Sequence, residues 1–242
     1  MNYLFLIQQR STSTRLPGKA LMPVSVVSRP PGSWRVDDCS LAEMVYRRVH
    51  MSDAGCHSCI YLVIPEGDED LKQVCSDACM DYREGPENDV YERFASVLKR
   101  LSFKPDYFFR VCGDNPCLDP GFIDEMVNRL ESFAPEDRPD YLSYMTHDGT
   151  PAMQMKAGLF CEAIKTTAFL ENPPVDQYGH DHVTPQLYMP EHCPPGYVQK
   201  TEFGLMPVSC EDLHLSVDTQ EDLDRVRAVF NWKGDNFTWR EL

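Results

Sequence analysis

No aspartate or glutamate occurs before Asp37, although the whole chain of 242 residues carries 38 acidic side chains against 23 lysines and arginines. Arg10, Arg15, Lys19, Arg29 and Arg35 all fall in that acid-free stretch. A net charge of −15 argues against nucleic acid as a partner, because nonspecific binding of long polyanions depends on many cationic contacts to phosphates. A basic N-terminal segment on an acidic protein is instead suited to one compact polyanion. Long apolar runs are also missing. The opening MNYLFLIQQR is apolar for only about six residues before Arg10, too short for a signal peptide or a membrane span. It reads as a first core strand of a cytoplasmic protein with no membrane partner. Neither the Walker pattern nor G-x-G-x-x-G is present, and no internal repeat is visible.

What is present is ordinary globular composition, 42% hydrophobic and 25% charged, in a length that fits a single domain over residues 1–242. Ten cysteines without a secretion signal suit a reducing compartment. Cys56 and Cys59 form a C-x-x-C followed by Cys75 and Cys79. A structural zinc on these four and unrelated core or surface thiols both fit that spacing.

Residues 3–8, 60–64, 106–111 and 213–217 are short aromatic and branched runs that predict buried strands. Helices are predicted at 40–50, where Ser40 and Glu43 form a capping-box pattern, and at 68–80, 88–101, 121–132, 158–170 and 220–230. Strands alternating with helices imply an α/β fold, a three-layer αβα sandwich around a mostly parallel, Rossmann-like sheet. Residues 23–39 and 172–196, rich in proline, read as loops, and the second could cover an active site. The C-terminal segment 231–242 is expected to dock on the body or on the other subunit of a homodimer.

The basic segment Gln8-Gln9-Arg10-Ser11-Thr12-Ser13-Thr14-Arg15-Leu16-Pro17-Gly18-Lys19 follows the first strand directly. In an open α/β sheet ligands bind beyond the C-terminal strand ends, where this loop emerges. Its small residues let backbone N–H groups approach phosphates while Arg10, Arg15 and Lys19 supply charge. A solvated basic loop would have the same composition.

QQRSTSTRLPGKAL resembles the signature of the spore-coat-polysaccharide type of cytidylyltransferases, relatives of the enzymes that make CMP-Kdo and CMP-sialic acid. Three further segments match in order: Tyr82-Arg83-Glu84-Gly85 through Asn88-Asp89-Val90; Arg110 through Pro116 with Asp119-Pro120; and Leu215 through Thr219 with Glu221-Asp222-Leu223. His182-Val183-Thr184-Pro185 is a weaker match between the last two. The resemblance implies a nucleotidyltransferase sheet and Mg²⁺-dependent transfer of CMP from CTP to a small anionic or sugar-like acceptor, with release of pyrophosphate, for surface polysaccharide or glycoconjugate synthesis. Arg10 and Lys19 would hold the triphosphate, with Gln8, Ser13, Arg15, Gly18, Cys112 and Gly113 close by. Arg83 and Asp89 would lie in the base and ribose region. Asp114 and Asp218 would be the Mg²⁺ ligands, since that ion typically takes one or two carboxylates plus phosphate oxygens. Taken alone, each aspartate equally suits a turn or helix cap.

The acceptor half departs from the family pattern. Gln154 stands near a position where members usually carry glutamate, and His180-Asp181 replaces the usual Arg-Glu before His182. Gln154, Lys156, His180 and His182 are therefore the candidate acceptor residues, suited to a carboxylate, phosphate or phosphonate. Competing readings are a noncatalytic nucleotide- or sugar-binding relative and a nucleotidyltransferase using another nucleoside triphosphate. A glycosyltransferase is disfavoured, because its usual Asp-x-Asp is replaced by Gly113-Asp114-Asn115-Pro116.

Overall fold

The computed structural model describes residues 1–26 and 38–242. Arg29, Arg35 and the interior of the expected 23–39 loop lie outside the described residues. Among the described residues nine strands run as β1 (Tyr3–Gln8), β2 (Pro23–Val26), β3 (Asp38–Ser40), β4 (Cys59–Pro65), β5 (Tyr82–Gly85), β6 (Tyr107–Cys112), β7 (Tyr141–Met145), β8 (Glu162–Lys165) and β9 (Thr201–Leu205). The α-helices are α1 (Leu41–His50), α2 (Asp53–Cys56), α3 (Glu69–Asp77), α4 (Val90–Arg100), α5 (Pro120–Ser132), α6 (Thr166–Glu171), α7 (Gln177–His182), α8 (Pro185–Tyr188), α9 (Val208–Glu211) and α10 (Gln220–Lys233). Among the described residues, no helix is long and apolar enough to cross a membrane.

Seven strands form one sheet in the order β5-β4-β1-β6-β8-β7-β9. Only β8 is antiparallel to its neighbours. The side-chain period of a strand explains why this sheet is covered on both faces. In β1, Phe5 and Ile7 join one apolar cluster while Leu4 and Leu6 join the other. Strand β4 repeats the split, with Ile60, Leu62 and Ile64 on the first side and Tyr61 and Val63 on the second. The first cluster packs against α1, α5 and α10, and the second against α4, through Tyr91, Phe94 and Leu98. This is the expected three-layer, mostly parallel arrangement.

Three local readings differ. Residues 158–170 are not one helix, because 162–165 form the reversed strand β8, whose Glu162 is fully buried, before α6 begins. Residues 213–217 form no ladder. Their N–H groups reach instead to single carbonyls across the strand ends, Leu215 to Lys156 (2.8 Å) and Val217 to Asp114 (2.8 Å). The ends of the 23–39 stretch pair as the two-stranded β2-β3 ribbon. Cys75 is a core residue whose thiol burial pushes up to about 11, whereas Cys56, Cys59 and Cys79 are exposed. Among the described residues no group of three or more His, Cys, Asp or Glu is placed to hold a metal, so the zinc reading gains nothing.

The C-terminal segment lies on its own chain. Arg48, fully buried, donates from Nη1 to the carbonyls of Asp235 (3.0 Å) and Phe237 (2.9 Å), and Trp239 stacks on Phe122 at 5.7 Å.

Candidate active site

A cleft of about 970 Å³ opens at the C-terminal ends of β1 and β6. The two strand ends are drawn together there. The Gly113 N–H donates to the Gln8 carbonyl (2.9 Å) and Gln9 Nε2 donates to the Gly113 carbonyl (2.7 Å). A Cβ at position 113 would stand 2.1 Å from the Gln8 oxygen, so the close approach requires glycine.

The basic loop folds back over this end. Ser11 N–H is anchored on Asp68 Oδ2 (2.9 Å), and Gly18 N–H closes onto the Ser11 carbonyl (3.1 Å). Gly18 has φ +71°, a left-handed conformation that starts a short 3-10 turn over Lys19–Leu21 and turns Lys19 inward. Gln8, Arg10, Ser13, Arg15 and Lys19 all line the cleft. Lys19 Nζ donates to the Val217 carbonyl (2.6 Å) and to Asp218 Oδ1 (3.2 Å), and lies 3.5 Å from Asp114 Oδ2. Arg15 also pairs with Asp218 Oδ1 at 2.8 Å.

Asp114 and Asp218 are thus brought side by side, as the sequence motifs anticipated, but by a crossing segment rather than by two strands. The Val217-to-Asp114 backbone bond fixes their spacing. The cap of α10 is Thr219 with Asp222 in a reciprocal capping box, which leaves the Asp218 side chain to the cations. Two carboxylates converging on one ammonium form a hard oxygen pair already arranged about a positive charge. The residues therefore fit Mg²⁺, with the remaining ligands left to phosphates and water.

Sequence reading missed Arg93. It sits on α4 among the residues that line the cleft, 1% exposed, donating to the carbonyls of Pro86 (2.9 Å) and Glu87 (2.6 Å). Burial, with Arg10 beside it, lowers it to about 10. The available signal was its place one turn beyond Asp89, on a helix face that otherwise packs into the core. Arg83, by contrast, is not among the cleft residues. It projects from the edge strand β5 and lies over the Tyr61 ring at 3.9 Å.

The other candidates divide as well. Cys112 and Gly113 line the cleft, and burial pushes the Cys112 thiol up to about 12, so it is no thiolate at neutral pH. Gln154 and His182 line the cleft too. Asp89 caps α4 through Glu92 N–H (2.9 Å), and its other oxygen holds His180 Nδ1 at 2.8 Å, so these two candidates are partners of each other. Lys156 is exposed and outside the cleft. What it contributes is its carbonyl, which receives the Leu215 and Ser216 N–H groups.

Arg110, quoted in a motif but given no role, forms the floor. Its Nη1 pairs with Glu162 Oε2, while Nε and Nη2 donate to Gln8 Oε1 (3.2 and 2.8 Å). Burial works against its charge, yet its partners, the paired Glu162 among them, outweigh that and hold it above its ordinary value. Glu162 also accepts from the Tyr141 hydroxyl (2.8 Å) and Thr184 Oγ1 (2.6 Å). Val183 between Thr184 and His182 has φ +77° and ψ −45°, and Thr184 N–H donates to the His182 carbonyl (3.0 Å). This is a γ-turn, rare and strained for a branched residue. It lets Thr184 reach the buried glutamate while His182 lines the cleft.

A profile of the Cytidylyltransferase family matches residues 37–229. The chain is 31% identical over 240 residues to the spore coat polysaccharide biosynthesis protein SpsF of Bacillus subtilis (strain 168), covering 96% of this chain and 88% of that protein. Among solved structures, a cytidylyltransferase from Leptospira borgpetersenii superposes with a TM-score of 0.76 at 20% identity, over 100% of this chain and 92% of the other. A CMP:2-keto-3-deoxy-manno-octonic acid synthetase complexed with CTP gives 0.63 at 13% identity, over 96% and 100%.

Proposed function

The chain belongs to the cytidylyltransferase family, and from that premise we propose that it transfers CMP from CTP to a sugar-like acceptor in a Mg²⁺-dependent reaction that releases pyrophosphate, serving surface polysaccharide or glycoconjugate synthesis. The observation that carries this reading is the Lys19 ammonium held between Asp114 and Asp218 at the mouth of the basic loop. Arg10, Arg15, Lys19 and Arg93 bind the triphosphate and neutralise the charge that builds on the departing pyrophosphate. Asp114 and Asp218 would hold Mg²⁺, which would supply further neutralisation of the phosphate charge. Lys19, which here donates to Asp218 and lies against Asp114, is the ammonium within the same cleft that would meet the phosphates. Ribose and base fall to the groups around Asn88 and Arg93, since Arg83 is turned away. The acceptor oxygen attacks the α-phosphorus directly, and the protonated Cys112 thiol takes no covalent part.

Pyrophosphate release measured with each of the four nucleoside triphosphates and Mg²⁺ tests the reading. CTP should be the preferred donor, and Asp114→Asn or Asp218→Asn should lower turnover by about 10²-fold or more with an unchanged circular dichroism spectrum. Unaltered Mg²⁺-dependent turnover in either variant would remove that residue from the site.

A further inference from the structure

Gln8 ends β1 and Gln9 follows it, and the two amides have different fates. Gln9 is buried and spends its Nε2 on the Gly113 carbonyl (2.7 Å). Gln8 continues the side of the strand that carries Leu4 and Leu6, and it lines the cleft. Its partner in register on β6 is Cys112, which makes Arg110 its diagonal neighbour across the ladder.

Chemistry sets the polarity of that contact. A guanidinium has N–H groups and no acceptor, so the Gln8 atom that meets Arg110 Nε and Nη2 (3.2 and 2.8 Å) is the amide oxygen. Arg110 is restrained in turn, because its Nη1 pairs with Glu162, which stands opposite it in register on β8. Glu162 is fully buried and accepts from the Tyr141 and Thr184 hydroxyls as well. The bonds therefore run one way, from carboxylate through guanidinium to amide oxygen, and leave the two Nε2 protons at the open end. Among the described residues no group accepts from Gln8 Nε2, and that atom is not shut off from solvent. The buried side-chain nitrogens and oxygens without a partner are Arg48 Nη2, Arg138 Nε, Thr166 Oγ1 and Gln186 Oε1. Strand β1 is flanked by β4 and β6 and covered on both faces, so the solvent this amide reaches is that of the cleft.

We propose that Gln8 is a specificity-determining residue of the transfer, whose Nε2 group, aimed by Arg110 and Glu162, donates a hydrogen bond to a ligand oxygen in the cleft. This rests on the CTP reading above and deepens it. An end that has only protons to offer selects an atom that accepts, and two sources bring such an oxygen to this place: the α-phosphate of CTP and the phosphate, carboxylate or hydroxyl group of the sugar-like acceptor. Arg110 and Glu162 act through Gln8 as positioning residues.

The full chain and two variants carry the test. Gln8→Glu still offers Arg110 a carboxylate oxygen but puts a second oxygen where the N–H groups stood. Gln8→Met has a similar length, carries no charge and neither donates nor accepts. All three proteins are titrated with the α,β-methylene analogue of CTP and Mg²⁺. Pyrophosphate release from CTP is then measured with mannose, mannuronate and mannose 1-phosphate, which share one ring and bear hydroxyls alone, a carboxylate or a phosphate. If the wild type fails to bind the analogue, the CTP reading falls and takes this proposal with it. A loss of about tenfold or more in analogue affinity in both variants supports the proposal with the α-phosphate as the source. Full analogue affinity, with release about tenfold or more slower in both variants, supports it with the acceptor as the source. A loss confined to Gln8→Glu would reflect repulsion by the added charge, and a loss confined to Gln8→Met would make Gln8 only a prop for Arg110. Either result overturns the proposal, and so does wild-type behaviour of both variants in both measurements.

Discussion

Arg83 lies inside a matched segment and Arg93 three residues beyond its end at Val90, and nothing in their chemistry says which faces the cleft. Geometry decides it. Strand β5 is the sheet edge with Gly85 buried and Arg83 projecting outward, whereas α4 turns Arg93 under the loop of residues 86–89. Replacing Arg93 by alanine should therefore remove a phosphate partner and also leave two carbonyls without their donors. The expected loss is about 2–3 kcal/mol in CTP affinity, with Arg93→Lys intermediate because a single ammonium cannot reproduce the fork. Calorimetric titration of CTP into the three proteins measures it. Equal affinities would return Arg93 to a structural role and put the triphosphate elsewhere. His182 and Gln154 were legible because they flank recognisable segments, but Arg110 was not. Its importance comes from Glu162, which sequence reading had placed inside a helix.

Elements were legible where their period was unambiguous. Strands β1, β4 and β6 are apolar at nearly every position because both faces are buried, and the helices α1, α4 and α5 carry apolar stripes between recognisable caps. The misread segments lack such signals. LFCEAIK fits either period until one knows that Glu162 is neutralised from a neighbouring strand, and LHLSV has strand composition but only isolated backbone partners. Strands β7 and β9 are five residues each and mix polar with aromatic side chains, so neither stands out. The junction of 215–217 with α10 carries a prediction of its own. Burial raises Asp222, but hydrogen bonds from Thr219 and Arg225 and from the N–H groups of Asp218 and Thr219 outweigh it, holding the carboxyl at about 2 against an ordinary 3.8. A depressed carboxyl stabilises the fold above its unfolded value and loses that contribution as the pH falls through its folded value. The window is thus from about pH 4 down to about pH 2, and the contribution is about 2 kcal/mol. Urea unfolding of wild type and Asp222→Asn at pH 7 and at pH 2.5 should give a gap of this order that narrows in acid. A gap independent of pH would show that the cap is held by packing instead.

At the scale of the molecule, the arrangement of layers was the most legible property, because it depends on alternation along whole strands rather than on any boundary. The position of the cleft followed from it, since the loop after β1 had to emerge at the C-terminal end of the sheet. The side of the cleft formed by residues 178–189 depends on β8 running backwards and on one strained turn at Val183, neither of which leaves a mark in composition. The gathering of Arg10, Arg15, Lys19 and Arg93 about one volume has a thermodynamic consequence. Like charges gathered about one cleft raise the free energy of the folded chain, and Arg93 registers this in part, its proton affinity lowered mainly by burial and further by Arg10. Any polyanion that joins them is therefore linked to the folding equilibrium itself. Inorganic tripolyphosphate at about 100 times its dissociation constant should add about 2.7 kcal/mol, or roughly 5–10 °C in melting temperature for a chain of this length. Cytidine, which brings base and ribose without phosphate, should add far less in the same thermal scan. If cytidine were the better stabiliser, recognition of the nucleoside would be the stronger half of donor binding. If tripolyphosphate is, heat tolerance of this protein in a cell rises and falls with its nucleotide supply.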